Sequence, residues 1–305
     1  MLQPGPKLPG FLARELAGFT RYTIEVDSPA GRHPMHIMER GTGTPVVMLH
    51  GNPTWSYLWR KVVARLDPAR FRVILPDLVG LGFSGRPRRL SDHSLDHHIA
   101  WFGDLLDKLA LGRFIFVGQD WGGPIGFGAL ATRTPQVAGL VVLNTAIGPP
   151  RQDFKPTAFH RFAQTPVVSD LAFRFGQFPQ AFMFTAQGDK KLDPRAIAAY
   201  VAPLLDPRTN LAPLALARMV PDSQDHPSIP ALQVSQDFVS NFKGPAAIVW
   251  GKRDPILGRM LGWVEKNLPH ATVTKTGAGH FLQEEVPDEI AAAIEGVARH
   301  AETQG

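Results

Sequence analysis

The chain has 305 residues, 44% of them hydrophobic, which is enough for one large α/β domain with an inserted subdomain. It contains no cysteine, which excludes disulfides, thiolate catalysis and cysteine-ligated metals. The formal net charge is +5, but the basic residues are mostly scattered arginines. The one compact run, Arg86-Pro87-Arg88-Arg89, has no basic helix or aromatic stripe beside it, so it reads as a solvated loop and no nucleic-acid partner is expected.

In chain order, the opening MLQPGPKLPGFLARELAGF lacks the layout of a secretory leader. No later run approaches the roughly 18 apolar residues of a membrane span. A cytoplasmic protein without a membrane partner is therefore expected. Residues 21–27 and 33–39 read as an opening hairpin, followed by strands at 45–49 (PVVML), 71–76 (FRVILP), 114–118 (FIFVG), 140–144 (LVVLN), 246–250 (AAIVW) and 272–275. The middle runs are continuously apolar, as in strands covered on both faces. Helices are expected over 55–66, 93–109, 123–133, 260–267 and 287–300. This alternation predicts a mostly parallel, doubly wound sheet. From about 149 to 228 the alternation stops. That stretch is proline-rich and holds Phe154, Phe159, Phe162, Phe173, Phe175, Phe178, Phe182 and Phe184. It reads as a helical cap inserted into a main domain formed by 1–148 and 229–305, with some of the phenylalanines facing a pocket and others forming the cap's own core.

Gly118-Gln119-Asp120-Trp121-Gly122 follows an apolar strand and opens a glycine-rich helix. This is the spacing of a nucleophile elbow, with Asp where acyl-ester hydrolases carry Ser. A helix N-cap aspartate would look the same in isolation. Two later residues tip the balance. Asp254 follows a strand in VWGKRDP, and His280 follows the next in GAGHF. Nucleophile, acid, histidine is the triad order of the α/β-hydrolase fold. A carboxylate attacking saturated carbon expels a leaving group and becomes an alkyl ester. Water deprotonated by His280 can hydrolyse that ester, with Asp254 holding the imidazole. The backbone N–H groups of Asn52 and Trp121 are the candidate oxyanion donors. No metal or organic cofactor is required.

His50-Gly51-Asn52-Pro53-Thr54-Trp55-Ser56-Tyr57-Leu58-Trp59-Arg60 and GQDWGG at 118–123 resemble the haloalkane dehalogenases. So do PDLVGLGFSG at 76–85, DHPSIPA at 225–231, 249–255 and 277–281, so the resemblance spans nearly the whole chain and is least specific in the cap. It implies the α/β-hydrolase fold and hydrolysis of small apolar haloalkanes to an alcohol and a halide ion. It also implies halide binding by the Trp121 indole N–H and the Asn52 amide. One branch of the family carries a Glu after the sixth strand. Here that region is LNTAI, so the acid falls to Asp254. The chain then looks like the Asp–His–Asp plus Asn–Trp branch, subfamily III, whose members tend to form homo-oligomers.

Other readings of the same motifs are weaker. Epoxide hydrolases share D-W-G but need cap tyrosines, and only Tyr200 of the three tyrosines lies in the cap. Fluoroacetate-type dehalogenases carry Arg after the nucleophile, where Trp121 stands. Renilla-type luciferases resemble the Glu branch. A ligand-binding receptor on this fold is the remaining alternative. His93, His97 and His98 have helical spacing but no acidic third ligand nearby, and read as solvated. His50 and Asp77 read as residues that brace loops.

Overall fold

Strands that are apolar on both faces require cover on both sides. The computed structural model describes residues 2–178, 183 and 185–304 and has that arrangement. Strands β1 (Gln3–Pro4), β2 (Thr20–Ser28), β3 (Gly31–Arg40), β4 (Thr44–Leu49), β5 (Phe71–Pro76), β6 (Phe114–Gln119), β7 (Val137–Leu143), β8 (Ala246–Gly251) and β9 (Thr272–Thr276) form one sheet. Their order is β1-β2-β3-β5-β4-β6-β7-β8-β9. The β1–β2, β2–β3 and β3–β5 pairs are antiparallel, and all pairs from β5 to β9 are parallel.

Period-two alternation divides the core between the two faces. Val47, Leu49, Phe116, Leu140, Val142, Ile248 and Trp250 join one apolar cluster. Their immediate neighbours Val46, Met48, Ile115, Val117, Val141, Leu143, Ala247 and Val249 join the other. Helices α1 (Leu95–Leu109), α2 (Gly122–Leu130) and α6 (Ile229–Asn241) cover the first face. Helix α7 (Pro287–Gln304) covers the second, with Trp59 and Val62 beside it. Among the described residues the stretch between β7 and β8 holds no strand. Its helices include α3 (Ala158–Gln164), α4 (Pro194–Val201) and α5 (Ala212–Arg218).

The chain leaves β4 for β5 on one side and leaves β6 for β7 on the other. Loops at the carboxyl ends of β4 and β6 therefore diverge and leave a crevice, the usual ligand position in open α/β sheets. Asn52 follows β4, and Asp120 follows β6.

Several expectations need correction. The helix expected over 55–66 is a 3₁₀ turn, Ser56–Trp59, followed by one α turn, Arg60–Val63. Its start is fixed from outside, because Asp77 Oδ1 takes the Ser56 N–H at 2.7 Å. Strand β1 and a helix at Gly10–Glu15 were not foreseen. His93 and His98 are not solvated: they are 7% and 1% exposed, with Nδ1 and Nε2 3.1 Å apart. Burial pushes His93 down to about 4 and His98 well below the usual range, so both are neutral. Arg86 is half-buried and donates to the carbonyls of Gly80, Gly82 and Pro203, whereas Arg88 and Arg89 are exposed. Phe162, Phe173 and Phe178 pack ring on ring in a small core of their own, and Phe159 and Phe175 face solvent. Phe182 and Phe184 lie outside the described residues.

Candidate active site

Asp120 occupies the turn between β6 and α2 with φ of 50°, the left-handed region that a non-glycine residue enters only under constraint. That constraint is visible. Asp120 N donates to Asn144 O at 3.1 Å, and Asp120 O accepts from Gly123 N at 3.1 Å and Thr145 Oγ1 at 2.6 Å. The turn can be this tight because position 122 is glycine. A Cβ there would sit 2.1 Å from the Leu49 carbonyl oxygen. The carboxylate thus projects from the N-terminal end of α2, where the helix field favours a negative charge. It is not sealed in: its side chain is 15% exposed.

Asp120 Oδ1 accepts the Asn52 backbone N–H at 2.7 Å. Asp120 Oδ2 lies 3.5 Å from His280 Nε2. On the other side of the ring, His280 Nδ1 meets Asp254 Oδ2 at 2.8 Å. The three residues come from the ends of β6, β8 and β9, and His280 and Asp254 are buried at 1% and 6% exposure. Asp254 also accepts the N–H groups of Ile256 at 2.7 Å and Leu257 at 3.1 Å. Burial opposes its charge, but His280 and these hydrogen bonds hold its carboxyl below the usual range. Burial also opposes a charged His280. The charge of Asp254, with hydrogen bonds to Asp120 and Asp254, outweighs it and pushes the imidazole up to about 10. The ring is therefore held charged between two carboxylates while Asp120 is ionised.

Asn52 reaches the elbow through its backbone N–H on Asp120, and Trp121 is the residue that follows Asp120 there. Among the described residues the Trp121 indole N–H has no hydrogen-bond partner. The Asn52 amide is partly committed: Nδ2 donates to Pro213 O on α5 at 2.9 Å, leaving one hydrogen free, and Oδ1 is buried without a partner. The carbonyl of Pro213 can only accept, which fixes the amide's orientation. Of the two expected backbone oxyanion donors, Asn52 N is already on the Asp120 carboxylate, and Trp121 N makes no bond to it.

Three neighbours escaped the sequence reading. Asn144, fully buried, donates to Asp254 Oδ2 at 2.7 Å and Gly251 O at 3.0 Å, and accepts Gly251 N at 2.7 Å. It stands at the end of β7, the same strand-end position as the other site residues, and that was the available signal. Gln119 Nε2 donates to His280 O at 3.1 Å, and Thr145 holds the Asp120 carbonyl. Asp77 and His50 do brace loops. Asp77 accepts Ser56 N at 2.7 Å and Phe83 N at 2.8 Å, and meets His36 Nδ1 at 2.8 Å. His50 Nε2 accepts Leu78 N at 2.9 Å. Tyr200 is fully buried, with its hydroxyl donating to Glu284 at 2.6 Å. Among the described residues no group of three His, Asp or Glu could hold a metal ion, and no helix is long and apolar enough to cross a membrane.

Comparison with known proteins gives the family. Residues 44–287 match the model of the alpha/beta hydrolase fold. A haloalkane dehalogenase of Mycobacterium marinum is 32% identical over 289 residues, 92% of this chain and 95% of that protein. Haloalkane dehalogenase 1 of Mycobacterium tuberculosis is 33% identical over 251 residues, 81% of each. The crystal structure of a haloalkane dehalogenase from Bradyrhizobium elkani superposes with a TM-score of 0.83 at 26% identity, covering 94% of this chain and all of that one. Likeness over nearly the full length, on the same fold, establishes that the chain belongs to the haloalkane dehalogenase family of α/β-hydrolases.

Proposed function

We propose that the protein hydrolyses carbon–halogen bonds of small apolar haloalkanes, releasing an alcohol and a halide ion, by way of an alkyl ester on Asp120. The observation that carries this reading is the strained, partly exposed carboxylate at the elbow, with one oxygen on the Asn52 N–H and the other facing His280.

Asp120 Oδ2, the oxygen not held by the Asn52 N–H, attacks the halogen-bearing carbon from the side opposite the halide. The halide leaves with the bonding electron pair towards the Trp121 indole N–H and the uncommitted hydrogen of the Asn52 amide. The first step needs no base, since a carboxylate is itself the nucleophile and has no proton to lose on attack. Its product is neutral at Asp120. Both the Asp120 charge and its hydrogen bond to His280 then vanish, and these are two of the influences that raise the imidazole. Alkylation thereby shifts His280 towards its neutral form, the imidazolium proton passing to solvent. Neutral His280 Nε2 takes a proton from water as the water oxygen attacks the ester carbonyl. The oxyanion at Oδ1 forms where Asn52 N already sits 2.7 Å away, and the Trp121 N–H is the second donor. Collapse breaks the bond to the alkoxide, which leaves as the alcohol with the proton from His280; the Asp120 carboxylic acid then passes its remaining proton to His280, which restores the starting ion pair.

The described residues within 149–228 act as the cap in this reading, and the Asn52–Pro213 bond ties α5 to the crevice. The Tyr200 hydroxyl, committed to Glu284, is poorly placed to protonate an epoxide oxygen, which weighs against epoxide hydrolysis. The Asp254 and Asn52 pattern of subfamily III carries the further expectation of self-association, tested by light scattering. Halide release from terminal bromo- and chloroalkanes, with epoxides run in parallel, tests the function. Release from the former that Asp120→Ala abolishes supports it, and release at the parent rate in Asp120→Ala overturns it.

A further inference from the structure

His280 sits on the loop between β9 and the short helix Leu282–Glu285. Its backbone is held by contacts to a segment remote in sequence. His280 N donates to Ala186 O at 2.7 Å. Glu285 Oε1 accepts Gly279 N at 2.8 Å and Gly188 N at 2.8 Å, so one oxygen bridges the residue before His280 and the remote segment. Glu285 Oε2 accepts Lys190 N at 3.1 Å, and Lys190 Nζ returns to the Glu285 carbonyl. The carboxylate is 2% exposed, and these backbone donors are what compensates its burial. The joint has no slack, since a Cβ on Gly188 would fall 2.2 Å from Gly277 O. Neighbouring Glu284 anchors the same short helix separately, to Arg60 Nη1 at 2.5 Å and to the Tyr200 hydroxyl of α4.

We infer that Glu285 is a positioning residue for His280. It clamps the loop at 277–280 onto the segment at 186–190, so that Nε2 points at the water that attacks the ester. This inference rests on the assignment of Asp120 as nucleophile and His280 as base of the second step. It makes a kinetic distinction that a general structural role does not. Attack by Asp120 on carbon needs no proton taken by Nε2, whereas hydrolysis needs Nε2 within hydrogen-bonding reach of water. A catalytic group misplaced by about 1 Å can cost about 10² in rate.

The test is Glu285→Gln, which keeps the side-chain volume but turns one acceptor into an NH₂ facing backbone donors. Halide burst and ester hydrolysis are followed separately in single-turnover experiments with a terminal bromoalkane. The burst should persist while hydrolysis slows about tenfold or more. In steady state kcat and KM should fall together, with kcat/KM within about twofold of the parent, because kcat/KM reports only the steps through alkylation. Equal losses in kcat and kcat/KM at constant KM are what a smaller folded fraction gives, and would overturn the inference, as would hydrolysis at the parent rate. Gly188→Ala, which pushes on Gly277 from the other side of the joint, should produce the same split. It decides the question if Glu285→Gln does not fold, and parent-like hydrolysis in it counts against the clamp. If the parent itself shows neither burst nor adduct on Asp120, the underlying assignment fails and this inference falls with it. A parent burst with no split in the variants refutes the clamp alone.

Discussion

Asn144→Ala tests how far the acid of the triad depends on a residue with no chemistry of its own. The side chain is fully buried and makes three hydrogen bonds, at 2.7 Å to Asp254 Oδ2, 3.0 Å to Gly251 O and 2.7 Å from Gly251 N. Losing a hydrogen bond to a charged carboxylate costs about 1.5–3 kcal/mol, and orphaning a buried backbone N–H costs about 1–3 kcal/mol. One water admitted to the vacated space, with polar groups to bind it, returns part of this. The expected net loss is about 2–4 kcal/mol, a large share of the roughly 5–15 kcal/mol that holds a domain folded. The loss also has a pH signature. Asn144 is one of the groups that hold the Asp254 carboxyl below its usual range. A depressed carboxylate stabilises the fold above its unfolded-state pKa, and that stability disappears as pH falls through the folded-state pKa. Without Asn144 the folded-state pKa rises, so acid destabilisation should begin at higher pH. Urea titrations of parent and variant across the acid range measure both effects. A loss under about 1 kcal/mol with an unmoved acid limb would show that Asn144 does not support Asp254.

Two other outcomes follow from the site. Asn52→Ala and Trp121→Phe should each slow halide release about 10²–10³-fold, since each removes a donor aimed at developing charge. Quenching of tryptophan fluorescence by bromide should weaken in Trp121→Phe, and unchanged halide affinity in both variants would refute the halide clamp. His280, pushed up to about 10, contributes stability that is complete below its unfolded value near 6.5 and is lost as pH rises through about 10. The parent should therefore lose melting temperature between roughly pH 7 and 10 more steeply than His280→Phe, and parallel melting curves would contradict that.

The sheet and the triad were legible because both leave local signals. Continuous apolar runs such as PVVML, FRVILP and AAIVW announce strands covered on both faces. The glycines around Asp120 and the strand-end positions of Asp254 and His280 mark a known chain order. What escaped notice lacks such signals. Asn144 and Glu285 matter through partners distant in the chain, Asp254 in one case and Gly188 in the other, and a single Asn or Glu after an apolar run carries no spacing rule. The burial of His93 and His98 is also tertiary. A helical stretch rich in histidine looks solvated until its neighbours in space are known, and here the two rings stack on each other with Gly80 packed against His93. The start of the helical stretch within 55–66 is likewise set from afar, since a carboxylate from the end of β5 accepts its first N–H.

The central claim is that the substrate's carbon becomes bonded to Asp120 and that His280 acts only afterwards. His280→Phe exposed to excess bromoalkane isolates the two steps. It should release one equivalent of bromide per active site and then stall. Its intact mass should rise by one alkyl group, and peptide mapping should place that group on Asp120. Repeated turnover would move the base elsewhere, and no bromide despite bound substrate would make His280 necessary for the first step; either result contradicts the account.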